Sequence, residues 1–550
     1  MTVASRVLRR YFGLPPARTS DVTVRRDIDV VARDGVVLRT DHYAPAFNTA
    51  PRGKRYASVL PPAPTILIRT PYGRKGVFGL VTGRVLAEQG FHVVVQSCRG
   101  TFDSGGVFEP MRHERDDGLD TVEWLKRQPW FDGTLFTHGA SYVGFTQWAT
   151  AGELGPTLKG MLTAVTASSF RGPTYAGGSF SLDTILNWAT LLNNQGGSLL
   201  SFVARQRRSQ SMLRRAWTHL PLAEADTVAA GKEIAFFQEW LTNSEDEPYW
   251  RDRNHGGRIE DVDAPVCMVG GWYDIFLPWQ LADYARLRAA GKRPRLVIGD
   301  WTHSSRELFA YSMREGVRWF RSQLDQDAPA PPPVELYVIG AGEWRAFADW
   351  PPPGRTREWF LRPGFELADT APTGAGATDL GNRFRYDPAD PTPSPGGALL
   401  TFGAGRVVNN AVEARDDILV YTSEKLTESV EAIGPVSVTI GIRSSSGDFD
   451  LFARVCDVAP NGRSENVCDG LTRVIGVPES PDGTRTVELA LWPTAYRWRA
   501  GHRIRLQIAG GAHPRYARNL GGGDALGTAT RLVPVDHEVV AGVLRLVEPA

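Results

Sequence analysis

Leu135-Phe-Thr-His-Gly-Ala-Ser-Tyr-Val-Gly-Phe-Thr-Gln-Trp148 is the stretch on which the fold turns. Its first residues are a short apolar run of the kind that forms a buried strand, Gly139 and Gly144 flank Ser141, and helix-compatible residues follow. A strand that breaks sharply into a helix with serine on the bend is a nucleophile elbow. The turn pushes the hydroxyl out above the sheet and leaves no space for side chains beside it. The usual spacing is G-x-S-x-G, whereas here the second glycine comes one residue later. The same residues also read as an ordinary glycine-rich turn, so the neighbouring segments have to decide.

Upstream, Thr65-Ile-Leu-Ile-Arg69 and Phe91-His-Val-Val-Val-Gln96 are continuous apolar runs separated by a helical stretch, Gly83 to Gln89, which is the pattern of buried parallel strands. Val22 to Val31 and Val36 to Tyr43 alternate around Asp34-Gly35 and read as an antiparallel hairpin. Arg115 to Lys126 is an expected helix. Downstream comes Gly160 to Val165, and then strand signals stop. Phe170 to about Glu245 is helical, with Leu182, Ile185, Leu186, Trp188 and Leu191 at helical spacing and Arg205, Arg207, Arg208, Arg214 and Arg215 as a solvated face. Strands resume at Pro265 to Gly270 and Arg295 to Gly299, with a helix over Leu281 to Ala289 between them. The expected arrangement is a mostly parallel sheet (1–166 and 247–328) interrupted by a helical cap (167–246). The proline-rich break Pro329 to Pro333 then leads into a domain (329–550) of short alternating segments, a β-sandwich or jelly roll.

At 550 residues the chain exceeds a single core, and 62 basic against 61 acidic residues leave no field to attract nucleic acid or an anionic membrane. It contains no apolar run of the ~18 residues that a membrane span needs. The N-terminal segment carries Arg6, Arg9 and Arg10 without the apolar core of a secretory signal, and Tyr11 to Pro15 looks like an ordered lead-in, so the expected location is cytoplasmic. Cys98, Cys267, Cys456 and Cys468 lack metal-site spacing, and neither metal nor cofactor is expected. If Val458 faces Asn466 across the turn at Ala459 to Glu465, Cys456 lies opposite Cys468; both a reduced pair and a strand-bridging disulfide fit that register.

A serine becomes a nucleophile only when a base takes its proton and a third group orients the base. In sheets of this kind the chemistry gathers at the carboxyl ends of the strands. The last two parallel strands run into Gly271-Trp-Tyr-Asp274 and Asp300-Trp-Thr-His303, giving the order Ser141, Asp274, His303 that α/β-hydrolases use. Asp300 is a competing acid, but it stands only three residues from His303. An oxyanion needs preorganised donors. The Tyr142 N–H, just after the serine, is one candidate. Tyr72, in Pro71-Tyr72-Gly73 after the strand Thr65 to Arg69, is either the second donor or a structural loop aromatic.

Arg69-Thr-Pro-Tyr-Gly73, Gln96-Ser-Cys-Arg-Gly100, Gly139-Ala-Ser-Tyr-Val-Gly144, Gly271-Trp-Tyr-Asp274, Trp301-Thr-His303 and, outside these, Asp34-Gly-Val-Val-Leu38 and Asp457-Val-Ala-Pro-Asn-Gly-Arg463 together resemble the bacterial cocaine esterase and X-Pro dipeptidyl-peptidase family of serine hydrolases. The resemblance spans essentially the whole chain. It implies an α/β-hydrolase fold with an inserted helical cap and a C-terminal jelly-roll β-sandwich of galactose-binding-like type. It also implies a Ser141, Asp274, His303 triad with the Tyr72 hydroxyl as oxyanion donor beside the Tyr142 N–H.

Relatives that hydrolyse α-amino-acid esters hold the substrate ammonium with carboxylates, some of them soon after the triad aspartate. Here Asp274 is followed by the apolar Ile275-Phe-Leu-Pro-Trp279. Phe276, Trp279 and Phe170 are therefore candidate walls for an uncharged or aromatic acyl group, with core packing as the alternative. The expected activity is that of a carboxylesterase on a small-molecule ester. An X-Pro dipeptidyl-peptidase or α-amino-acid ester hydrolase stands as the second reading, and a glycan-binding protein with a vestigial hydrolase half as the third. Exposed aromatics on the β domain are compatible with a homo-oligomer.

Overall fold

The computed structural model describes residues 2–46, 60–194, 210–244, 248–325, 327, 329–372, 380–400 and 403–550. Ten strands make the first sheet: β1 Asp21–Val31, β2 Val37–Ala46, β3 Ala63–Thr70, β4 His92–Ser97, β5 Phe131–Ala140, β6 Leu158–Ala164, β7 Val266–Tyr273, β8 Arg295–Thr302, β9 Val334–Val338 and β10 Glu343–Phe347, in the order β1-β2-β4-β3-β5-β6-β7-β8-β9-β10. The expected hairpin is present, with Val31 opposite Val37. Its turn contains Gly35 at φ +86°, a conformation that glycine reaches without strain. β2 meets β4 antiparallel, and every pairing from β4 through β3 to β9 is parallel. All six residues of β4 and all eight of β7 are buried, which is why these strands read as unbroken apolar runs: helices cover both faces.

The sheet does not end at the proline-rich break. Val334–Val338, expected in the β domain, pairs parallel with β8, and Glu343–Phe347 closes the edge antiparallel to it. The physical reason lies in the strand itself. Val334, Leu336 and Val338 are buried while Glu335 and Tyr337 are half-exposed, so near the sheet edge only one face is covered and the pattern alternates. The crossing is tied down by Arg295 of β8, which bonds to Glu315, Glu335 and the Pro332 carbonyl.

Between Ala164 and Val266 the regular structure of the described residues is helical, including Leu182–Asn193, residues 210–218, Ala225–Ala230 and Ala235–Thr242. Arg205, Arg207 and Arg208 lie outside the described residues, while Arg214 and Arg215 are exposed. Where the chain leaves the sheet for this cap, buried Asp283 of the helix Leu277–Ala289 accepts hydrogen bonds from both the N–H and the hydroxyl of Ser168, each at 2.7 Å. Burial pushes the Asp283 carboxyl up to about 6 from its ordinary 3.8, against those two bonds, which favour the ionised form. Because the folded value lies above the unfolded one, the folded state binds more protons between about pH 4 and pH 6, and this group's contribution to stability falls as pH rises through that window. Asp283→Asn should therefore gain relative to the parent by roughly 3 kcal/mol between pH 4 and pH 7 in urea unfolding. A stability difference independent of pH would contradict the assignment.

The second half is a β-sandwich, with strands β11 Gly354–Arg362, β12 Glu366–Ala368, β13 Asn382–Tyr386, β14 Ile418–Ser423, β15 Val430–Ser444, β16 Asp448–Val458, β17 Ser464–Ile475, β18 Arg485–Trp498, β19 Arg503–Ala509 and β20 Val535–Pro549. β15 and β18 alternate buried and exposed positions along much of their length, which supplies the period-two signal. The β16–β17 register differs from the expected one. Val458 faces Ser464, not Asn466, because the turn closes early through the Ala459 N–H to Arg463 carbonyl bond. A bulge then sets Cys456 against Asn466 and Val455 against Cys468. All four cysteines are buried and free. Among the described residues, no helix is long and apolar enough to cross a membrane.

Candidate active site

Ser141 stands between the end of β5 and the helix Tyr142–Ala151, at φ 56° and ψ −129°. A non-glycine residue in that region is strained and persists only where its surroundings hold it. The Ser141 N–H donates to the Ala164 carbonyl at 2.9 Å, and the Ser141 carbonyl accepts from the N–H groups of Gly144 (2.8 Å) and Phe145 (3.0 Å). The glycine spacing has a steric explanation. A Cβ on Gly139 would come within 2.2 Å of Val143 Cγ1, and one on Gly144 within 2.4 Å of Thr166 Cγ2. The second glycine is thus required where the helix passes the loop after β6, one residue later than in the common motif.

His303 follows β8 and Asp274 follows β7. His303 Nε2 lies 3.1 Å from Ser141 Oγ, and His303 Nδ1 lies 2.6 Å from Asp274 Oδ2. Asp274 is fully buried. Its second oxygen accepts the Phe276 N–H at 2.9 Å, and its main-chain carbonyl accepts the Trp492 indole N–H at 3.0 Å, so a β18 side chain braces the loop that carries the acid. Among the described residues, Asp300 makes no hydrogen bond to His303.

Tyr72, on the loop after β3, is fixed through its N–H to Thr70 Oγ1 at 3.0 Å, and its phenolic oxygen accepts the Trp188 indole N–H at 3.1 Å. The hydroxyl and Ser141 line the same cavity. Burial pushes the phenol up to about 12, and the bond from Trp188 opposes that rise, so the hydroxyl is protonated at neutral pH. The Tyr142 N–H opens its helix and, among the described residues, finds no backbone acceptor. The Tyr142 side chain points elsewhere: its hydroxyl accepts the Met111 N–H at 2.7 Å and donates to Glu114 at 2.9 Å.

In front of Ser141 opens a cavity of about 1120 Å³ between the cap and the β domain. Phe170 and Phe276 both line it, with ring centroids 4.8 Å apart and Phe276 5.5 Å from the His303 ring. Trp279 is not brought to it. It packs edge-on against Trp492 at 5.8 Å and over Gly172, on the side of its helix that faces β18. Sequence reasoning missed much of the remaining wall. The cap contributes Trp188, Trp217 and Trp240, and the β domain contributes Pro393 to Gly396, Leu399 and Leu400, and buried His513, whose imidazole burial lowers to about 4. One signal was available for the cap. The helix Leu182–Asn193 is apolar on more than one face, so it has more to cover than a core alone explains. Nothing in the local pattern of the β-domain loops marked them. Among the described lining residues none is Asp or Glu, and the one fixed charge is the exposed Arg214.

A serine hydroxyl bonded to an imidazole, itself bonded to a buried carboxylate, on an elbow of this strand order defines a serine hydrolase of the α/β-hydrolase fold. Residues 34–305 match the X-Pro dipeptidyl-peptidase (S15 family) domain and residues 327–534 the X-Pro dipeptidyl-peptidase C-terminal non-catalytic domain. The chain is 30% identical over 548 residues to the cocaine esterase of Rhodococcus sp. (strain MB1 Bresler), covering 90% of this chain and 92% of that protein. It belongs to the X-Pro dipeptidyl-peptidase S15 family. The fold is shared with an aminopeptidase from the marine sediment archaeon Thaumarchaeota archaeon (TM-score 0.78, 19% identity, 96% of this chain and 97% of that one). It is also shared with an α-amino acid ester hydrolase (TM-score 0.77, 19% identity, 97% and 98%).

Proposed function

We propose that this serine hydrolase is a carboxylesterase for esters of uncharged, aromatic acids. In this reading His303 takes the proton of Ser141 as its oxygen attacks the ester carbonyl, and Asp274 holds the imidazole in the required tautomer. The Tyr72 hydroxyl and the Tyr142 N–H receive the oxyanion. The tetrahedral adduct expels the alcohol, protonated by His303, and water activated by the same imidazole releases the acid from Ser141. Phe170 and Phe276 form the wall against which an acyl ring packs.

The observation that carries the reading is the lining itself. A substrate bearing a free α-ammonium would enter a cavity with no carboxylate among its described walls, and a cation taken out of water without a counter-charge is strongly disfavoured. Similarity to a cocaine esterase supports the same choice. The decisive comparison is between methyl phenylacetate and methyl phenylglycinate, which differ by the amino group alone. With Ser141→Ala as the blank, kcat/KM should favour the phenylacetate by ~10-fold or more. Equal rates, or faster cleavage of the phenylglycinate or of aminoacyl-proline anilides, would turn the assignment to an amino-acid ester hydrolase or dipeptidyl-peptidase.

A further inference from the structure

We propose that Trp188 of the cap is a positioning residue of the oxyanion site, its indole N–H determining the direction in which the Tyr72 hydroxyl donates. The proposal rests on the reading of Tyr72 as an oxyanion donor. A phenol has one O–H to give and lone pairs with which to accept, whereas an indole N–H can only donate. With Trp188 Nε1 3.1 Å from the Tyr72 oxygen, one lone pair is occupied on the cap side. The phenolic proton has no acceptor there and turns to the other side, toward the cavity that Ser141 also lines.

The direction matters because a free phenol rotates its proton among several acceptors, water included. A donor that must reorganise as charge develops loses much of its catalytic value. Tyr72 is otherwise anchored by its backbone N–H, and among the described residues the Trp188 indole is the hydrogen-bond partner of its oxygen. Trp188 is held firmly enough to act as the reference. Its ring stacks with Tyr142 at 5.8 Å and 22° and with Trp240 at 5.8 Å and 16°, and it meets Phe236 at 5.3 Å. Tyr142 is also the residue whose N–H is the second donor. One aromatic stack therefore runs from the cap interior to both proposed oxyanion donors. An indole N–H on the oxygen also withdraws electron density from it, opposing the rise that burial imposes on the phenol and strengthening its O–H as a donor. Trp188 makes and breaks no bond in the reaction, and its influence passes entirely through Tyr72.

The test is a double-mutant cycle on hydrolysis of methyl phenylacetate. Trp188→Phe keeps an aromatic ring in the stack and removes the N–H. Alone it should lower kcat by about 3- to 10-fold with KM changed less than about twofold, the size expected for one neutral hydrogen bond. In a Tyr72→Phe background the same substitution should change kcat by less than about twofold, because no hydroxyl remains to be aimed. Equal losses in both backgrounds would reduce Trp188 to a packing residue and overturn the proposal, as would an unchanged kcat in the parent background. If Trp188→Phe does not fold, 3-benzothienylalanine at position 188, which keeps the bicyclic shape without the N–H, is read against the same criteria. A Tyr72→Phe single variant with parental kcat would instead remove the underlying oxyanion assignment, an outcome distinct from additive losses.

Discussion

Asp274→Asn is expected to lower kcat by about 10⁴-fold while leaving the fold intact. The geometry makes the direction of the effect unambiguous. One Asp274 oxygen accepts the Phe276 N–H and the other faces His303 Nδ1 at 2.6 Å. An asparagine in this place keeps its carbonyl on the Phe276 N–H, because the amide nitrogen cannot accept there. Its NH₂ group is then aimed at Nδ1 and donates to it. That forces the imidazole proton onto Nε2, the nitrogen 3.1 Å from Ser141, which must be bare to receive the serine proton. The variant therefore presents an intact triad in the wrong tautomer. Single-turnover cleavage of p-nitrophenyl acetate, with circular dichroism to verify folding, measures the loss. A well-folded variant within about tenfold of the parent would show that Asp274 does not orient the base.

The residues that the structure gathers around Ser141 differ in how plainly the chain announced them. Ser141, Asp274 and His303 each follow the C-terminal end of a parallel strand, and such ends are visible locally, because an apolar run stops and small or polar residues begin. Tyr72 has the same kind of address after β3. Trp188 and Trp240 do not. Which face of a cap helix meets the cavity depends on packing between segments more than a hundred residues apart in sequence, a relation that spacing within one helix does not encode. Phe276 and Trp279 show the limit clearly. They stand three residues apart in one apolar stretch, yet one contacts the His303 ring and the other the β18 tryptophan. Val334–Val338 was expected in the β domain because a half-covered strand alternates whichever sheet it joins. The Cys456–Cys468 register failed for a different reason: strand composition does not specify where a turn closes, and a bulge shifts everything beyond it.

Tyr72→Phe should lower kcat by about 10²–10³-fold, the magnitude typical for loss of a single oxyanion donor. Phenylalanine retains the ring that fills the space between Trp188 and Ser141 and removes one oxygen, so the change is close to isosteric, and binding of the uncharged ester should alter little. KM is therefore expected to stay within about threefold, placing the loss in the transition state rather than in substrate capture. The remaining rate should depend on the Tyr142 N–H, which belongs to the backbone and cannot be removed by exchanging its side chain. This asymmetry predicts a second behaviour. Tyr142 holds Met111 and Glu114 through its hydroxyl, so Tyr142→Phe should cost stability through those buried partners while sparing most of kcat. Tyr72→Phe should do the reverse. Two tyrosines flanking the same serine thus separate into a chemical and a structural role, and steady-state kinetics alongside thermal melts of the two single variants distinguish them. If Tyr72→Phe melted earlier at undiminished kcat, the hydroxyl would belong to the packing of the cap, and the oxyanion would have to be held by the backbone alone.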